Sequence, residues 1–329
     1  LRQAQQGVAV IMALLLTTLA LTLVASLFWQ QQVQVRLIEN QRLQLQKQWI
    51  LRGALDWASL IVREDAKYSS IDSLDEPWAT PLADTRLDQY VENGKADSEL
   101  ADTKLAGQIS DAQARFNLTN LVQNGVIDSV SVVQFARLLT LLNLDAALAQ
   151  KTAQAMMQTA KSSVALLASN NQLQIAANAS AVPANSPPVT PTQNNAESIT
   201  FSQVDDLLQL TDYTPALLAK LTPFIIFLPR STPVNINTAD ATVIAALVNN
   251  LSLSEAQMLV GTRKTAHFNE LNAIATRLAG KNFSASSFSV TSSYFLIDGK
   301  VQMNRARLDM QALLERNGAI TKLLWIREF

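Results

Sequence analysis

The stretch "IDSLDEPW" places Asp72, Asp75 and Glu76 in one short loop. Carboxylates that close together are the minimum a general acid and base need to cleave a glycosidic bond. The competing reading is a polar loop wrapped around Trp78, and the surroundings favour it. His267 is the sole histidine, so a Ser-His-Asp triad would have to use it, and no nucleophile motif lies near it. There is no cysteine, which excludes a catalytic thiol, a disulfide framework and a cysteine-based zinc site. No Walker motif occurs, and no dinucleotide-binding glycine pattern follows a strand. The chain reads as a non-enzyme.

The elements that must position these residues begin with an apolar run. Val8 to Trp29 contains no charge, proline or glycine over 22 residues, and a bilayer core needs about 20 in helical form. It is longer than the apolar core of a secretory signal and has no small-residue cleavage site after it. Arg2 precedes the run, which favours a cytoplasmic N-terminus with the body on the far side. The chain opens on Leu1 rather than Met, so part of a leader is expected to precede it. The helix should continue to about Arg63, because only Gly53 interrupts good helix formers. Leu43, Ile50, Ala54, Trp57 and Ile61 form its expected packing stripe.

The remaining roughly 300 residues suffice for two domains. A net charge of −1 argues against a general polyanion-binding surface. Leu105, Ile109 and Phe116 lie in a strand-and-turn context. Residues 286–315 read as a hairpin with Phe288, Val290, Tyr294 and Leu296 near strand alternation and Asp298-Gly299 as its turn. Between these stretches the pattern is mostly helical. Ser131 and Asp145 are expected caps, the second for a helix running through Ala168. Ser202-x-x-Asp205 reads as a capping box and Thr214-Pro215 as a helix start. Residues 170–199, rich in Asn, Ala, Ser, Pro and Thr, read as an exposed loop. The expected fold is α+β: a long N-terminal helix on an antiparallel sheet, with a large helical subdomain inserted into the sheet.

A short polar leader ending in Gly7, then an apolar helix that enters a globular head, resembles a type IV pilin or pseudopilin. The resemblance implies that a prepilin peptidase cuts after Gly7 and that Val8 becomes the methylated first residue. The family's usual glutamate at the fifth mature position is here Met12. In a growing filament that glutamate is thought to pair with a neighbour's N-terminal amine, and an unpaired buried charge is costly. Met12 therefore suggests a subunit with no neighbour above it. "GVAVIMALLL", "GALDWASLIVRED", "GQISDAQARFNLTNL", "LPRSTPVNINTADATVIAAL" and "TSSYFLIDGKVQ" resemble, in order, the large minor pseudopilin family of type II secretion, general secretion pathway protein K.

That resemblance implies several boundaries: a leader at 1–7, a transmembrane part at 8–29, and the periplasmic helix half with the first part of the head at 30–123. An inserted helical domain follows at 124–280 and the final strands at 281–329. It implies an inner-membrane, single-pass protein with a periplasmic head at the pseudopilus tip. There it would join minor pseudopilins I and J, start assembly and cap the filament. Further implied partners are the major pseudopilin, the prepilin peptidase, the inner-membrane assembly platform and the lipid bilayer. Ala9, Ala13, Ala20 and Ala25 are small residues suited to close helix packing. Some relatives bind calcium, for which Asp205 and Asp206 are the candidates here, although adjacent acids at a helix start more often act as caps. Residues 234–275 also resemble a helix-hairpin-helix module of DNA-binding proteins, the rival reading. Its hairpin at Asn249 to Leu253 lacks glycine, Ser252-x-x-Glu255 can cap the next helix, and Arg263, Lys264 and His267 read as a solvated helix end. No nucleic acid partner is expected.

Overall fold

The computed structural model describes residues 6–86, 103–159, 201–278, 280–303 and 306–329. The expected loop at 170–199 and the helix end at Ala168 lie outside them. One helix, α1 (Gln6–Tyr68), runs 63 residues, about 94 Å at 1.5 Å per residue. Its apolar start and its head-bound end are therefore one continuous helix.

In chain order there follow β1 (Leu82–Arg86), β2 (Lys104–Asp111), the short strands β3 (Phe116–Asn117), β4 (Val122–Gln123) and β5 (Val126–Ile127), and α2 (Ser129–Leu141). A helix over 147–159, α3, comes next. Then come α4 (Pro215–Leu221), β6 (Ile225–Ile226), β7 (Val234–Asn235), α5 (Ala241–Leu247), α6 (Leu253–Arg263), α7 (Leu271–Arg277) and β8 (Phe288–Ser289). The chain closes with β9 (Tyr294–Met303), β10 (Ala306–Asn317) and β11 (Ile320–Glu328). The main sheet is antiparallel in the order β1-β2-β9-β10-β11. Strands β2 and β9 are neighbours, with Asp111 opposite Phe295, so everything from 112 to 293 is an excursion between two paired strands.

Three apolar clusters follow from this topology. Leu51, Leu55, Ala58 and Val62 of α1 pack on Ile109, Phe295, Ile297, Val301 and Leu314 of the sheet. The excursion has its own core, running from Phe116 to Phe288 and including Phe135, Leu138, Leu139, Leu221, Ile244 and Leu247. A small third cluster, with Ile226, Leu228, Tyr294, Leu296 and Leu313, joins the excursion to the other face of the sheet. The mixed helix-and-sheet architecture with an insertion is thus as expected, and the insertion's core reaches beyond the 124–280 span on both sides.

Local expectations fared unevenly. The buried stripe of α1 is rotated about one residue from the expected one. Leu51, Leu55, Ala58 and Val62 are the buried positions, while Ile50, Ala54 and Ile61 flank them and Trp57 is 50% exposed. Both sets repeat at helical spacing, and residue bulk alone chose the wrong one. Asp298-Gly299 is no turn: both residues lie inside β9. A Cβ on Gly299 would meet Met310 Cε at 3.1 Å and Leu51 Cδ2 at 3.4 Å. Glycine there lets α1 approach the sheet. The cap of α2 is Asp128, which accepts from the Ser131 amide at 2.9 Å, because a charged oxygen three residues before an amide competes well for it. The expected box at Ser202-Asp205 shifts by one, with Asp206 accepting from the Ser202 and Gln203 amides. Thr214 with Pro215 and Ser252 with Glu255 cap as expected, and Asp145 accepts from the Ala147 amide.

Candidate functional site: the N-terminal helix and its joint with the head

Along α1 the large apolar residues from Val10 to Trp29 are exposed, including Met12 at 60%; Ala9, Ala13, Ala20 and Ala25 are exposed as well. The hydroxyls of Thr17, Thr18 and Thr22 donate to carbonyls three residues back, at 2.8–2.9 Å. A hydroxyl satisfied within its own helix suits lipid. The helix qualifies by length and composition as a single membrane span. Its exposed apolar surface does not stop at Trp29. Ile38, Leu45, Trp49, Trp57 and Leu60 are 41–72% exposed, and Trp49 lies about 30 Å further along the axis. A water-facing helix with such a stripe is unusual unless another surface covers it.

Where α1 meets the head, one arginine holds four parts of the chain together. Arg316 of β10 donates through Nη2 to both carboxylate oxygens of Asp72, at 2.5 and 2.6 Å, and through Nη1 to Asp65 of α1 at 3.1 Å. It also donates to the Ser292 carbonyl at 2.9 Å and lies over the Phe295 ring at 4.6 Å. Asp72 Oδ2 accepts from the Ser292 amide at 2.6 Å. Ser292 Oγ donates to Asp111 Oδ2 at 2.6 Å, as do Asn235 Nδ2 at 2.9 Å and Thr238 Oγ1 at 2.5 Å. Asp111 Oδ1 caps the turn after β2 by accepting from the Gln113 amide at 2.7 Å. Helix, loop, sheet and insertion are therefore linked through buried charge.

The balance of that charge is unequal. Asp65 and Asp72 share the Arg316 guanidinium, with the charge of Glu76 acting on Asp65 and that of Asp111 acting on Asp72. Burial, with Glu76 nearby, pushes Asp65 up to about 6; burial pushes Asp72 up to about 6 against the pull of Arg316. Burial also raises Asp111, against the hydrogen bonds of Ser292 and Thr238. A carboxylate raised in the folded state binds more protons there than in the unfolded chain, so folding gains stability as pH falls from about 6 toward 4. The melting midpoint of the head is expected to be higher at pH 5.5 than at pH 7.5. A calorimetric scan at constant ionic strength checks this, and the expected size is on the order of 1–3 kcal/mol. Glu255, held down at about 2 by hydrogen bonds from Ser252 and Lys281, gives up stability only as pH falls below its ordinary value of 4.5, outside the interval compared.

The residues first singled out for chemistry are mostly structural. Asp72 is spent on Arg316 and Ser292. Glu76 accepts from the Ser73 amide at 2.9 Å and from Trp78 Nε1 at 2.8 Å, with Trp78 1% exposed. Asp75 stays exposed. The polar-loop reading holds. Oxygens of Asp65, Asp72 and Glu76 lie within 4.8 Å of one another, the sole trio of potential ligands among the described residues, but a guanidinium already neutralises two of the three. Asp206 is occupied as a cap and Asp205 is exposed beside it, with no third carboxylate grouped with them among the described residues.

In the 234–275 stretch, Arg263 is not part of an exposed cluster. It is buried, donates to the Ile236 carbonyl at 2.6 Å, and is pushed down to about 10 by burial; Lys264 and His267 remain exposed. The hairpin amides that would grip phosphate are taken. Asn249 N–H donates to Asn282 O at 2.8 Å and Ser252 N–H to Glu255 Oε2 at 2.8 Å. A carboxylate at that spot opposes a phosphate.

Two family descriptions match the chain, both named type II secretion system protein K. One covers residues 114–230 and the other 234–292, together more than half of the chain. The chain belongs to the type II secretion system protein K family. Protein K of Pseudomonas aeruginosa is 26% identical over 96% of this chain and 90% of its own length. Protein K of Klebsiella pneumoniae is 26% identical over 95% and 93%. The fold also matches a chain of the crystal structure of the GspK-GspI-GspJ complex from enterotoxigenic Escherichia coli. That match has a TM-score of 0.58 and 19% identity, covering 88% of this chain and 98% of that one.

As a member of the protein K family, the chain is a minor pseudopilin, a structural component of the secretion system. Its single apolar N-terminal helix fits a membrane anchor. The joint around Arg316 escaped sequence reasoning, because Arg316 is separated from Asp65 and Asp72 by about 250 positions. One signal was present: Asp111 directly follows a strand and precedes the "AQARFN" turn, where an unpaired buried acid has to find donors.

Proposed function

We propose that this protein sits at the tip of the type II secretion pseudopilus, forms a tip complex with minor pseudopilins I and J, starts filament assembly and caps it. The single observation that carries this reading is the uninterrupted helix whose exposed apolar surface runs from the bilayer segment past Trp49 to Leu60. A helix exposed on that scale is stable outside lipid only when neighbouring helices cover it, and small residues such as Ala9, Ala13, Ala20 and Ala25 allow close approach. The Escherichia coli relative was crystallised in complex with two companions, GspI and GspJ, and the corresponding pair is proposed here. Met12, uncharged and exposed, asks for no partner amine above it. The bulk of 112–293 then blocks addition at that end. The inner membrane holds the chain before assembly, N-terminus in the cytoplasm and head in the periplasm. A prepilin peptidase, the assembly platform and the major pseudopilin act on it in turn.

The reading is tested at Gly7. Intact-mass analysis of the chain from membranes with a matching prepilin peptidase is expected to give a species beginning at methylated Val8. A chain that keeps Gly7 would make α1 a plain anchor and remove the assembly role.

A further inference from the structure

Outside the joint and the helix, the least explained group in the head is Arg115. It follows the turn Ala112–Ala114 and opens into a cleft between the insertion and the outer face of β10 and β11. The cleft has a volume of about 140 Å³ and is lined by Arg115, Asp205, Phe227, Trp325 and Arg327 among others. Arg115 is half-buried, and that burial lowers its pKa. Yet among the described residues neither an ion pair nor a side-chain hydrogen bond reaches its guanidinium. The acids that feel its charge are engaged elsewhere: Asp111 in the joint, and Asp298 with Gln311 Nε2 at 2.9 Å. Arg327 is the second cation, held over the Trp325 ring at 4.1 Å, and it too forms no ion pair among the described residues. Asp205 lines the same cleft without pairing to either arginine.

We propose that this cleft binds an oxyanion between Arg115 and Arg327, as either a free tetrahedral anion of the phosphate class or a carboxylate. A half-buried guanidinium whose N–H groups meet no acceptor among the described residues has donors to spare, and it presents them paired in the geometry of such an anion. The cavity is well below the size of a drug-like ligand site, which fits a single small group. Because Arg115 belongs to the insertion's edge and Arg327 to β11, a bound anion bridges the two and stiffens the seat of the insertion on the sheet. The inference stands apart from the tip assignment, since no residue of α1 lines this cleft.

The test uses the full chain in detergent, titrated with inorganic phosphate and separately with acetate at matched ionic strength, chloride serving as control. A saturating rise in melting midpoint with phosphate is expected, lost at least tenfold in affinity in Arg115→Gln and several-fold in Arg327→Gln. Asp205→Asn removes the competing charge and is expected to tighten binding several-fold. If acetate saturates and phosphate does not, the occupant is a carboxylate; the reverse makes it a free tetrahedral anion. The rim variant Arg327→Gln and the charge-keeping Arg115→Lys guard against a misfolded Arg115→Gln. A response equal to that of chloride, or one unchanged in Arg327→Gln and Arg115→Gln, overturns the proposal. So does a loss of stability in Asp205→Asn with no gain in anion binding, which would make Asp205 the arginine's partner.

Discussion

Replacing Arg316 with methionine is expected to destabilise the head by about 3–5 kcal/mol, the range for removing one partner of a buried ion pair. Methionine keeps much of the volume beneath Phe295, so the loss reports charge rather than packing. Asp65 and Asp72, with side chains 7% and 1% exposed, would keep their negative charge at neutral pH with no cation beside them. They can escape only by taking up protons. The penalty should therefore shrink as pH falls, and the variant's deficit at pH 5 should be clearly smaller than at pH 7.5. Thermal unfolding of both proteins at the two pH values measures this. An equal deficit at both would mean that Arg316 acts by shape alone and that the carboxylates were never charged. The double variant with Asp72→Asn should recover part of the loss, because removing both charges leaves one fewer buried ion unpaired.

The second large effect belongs to the insertion. Phe135 is fully buried and stacks on Phe116 with ring centroids 5.7 Å apart and planes 8° from parallel. Phe135→Ala should cost about 3–5 kcal/mol, the usual range for emptying such a site. The loss should fall on one part of the molecule, since the insertion's core shares no member with the cluster beneath α1. The five tryptophans report this directly: Trp29, Trp49, Trp57, Trp78 and Trp325 all lie outside 112–293. Helical circular dichroism should begin to melt before tryptophan fluorescence in the variant, and the two should diverge more than in the parent. Coincident transitions would show that the insertion and sheet unfold as one unit. The same core layout limits any truncation. Cutting out 125–225 would remove Phe135, Leu138, Leu139 and Leu221 from a core that Ile244, Leu247 and Phe288 need. A clean excision must instead join Asp111 to Tyr294, where β2 and β9 already pair.

Much of this architecture was legible in the sequence because it is written locally. An uncharged, mostly apolar run of 22 residues followed by glutamine, arginine and leucine without a breaker specifies a long helix by itself. Ser252 with Glu255 and Thr214 with Pro215 are caps whose partners lie within a turn. What failed depended on distance or on a near tie. The α1 stripe had two equally periodic readings, and only the contact with Gly299 and Phe295 of a strand far along the chain chooses between them. Asp298-Gly299 carried the strongest short-range turn signal in the head, yet the glycine is there because Leu51 packs against it. The joint around Arg316 was invisible for the same reason: its acids and its arginine are brought together only by the completed sheet. Asp72 drew attention as a catalytic candidate because it shares a short loop with Asp75 and Glu76; clustered carboxylates serve catalysis and structure alike, and only its partners distinguish the two.

The tip position is measured most directly by where the protein lies along an assembled pseudopilus. Filaments built from the major pseudopilin with this full-length chain, labelled on the head with gold and imaged by electron microscopy, should carry label at one end only. Label distributed along the filament shaft would contradict the proposed tip position, in which the insertion blocks addition and Met12 offers no pairing carboxylate.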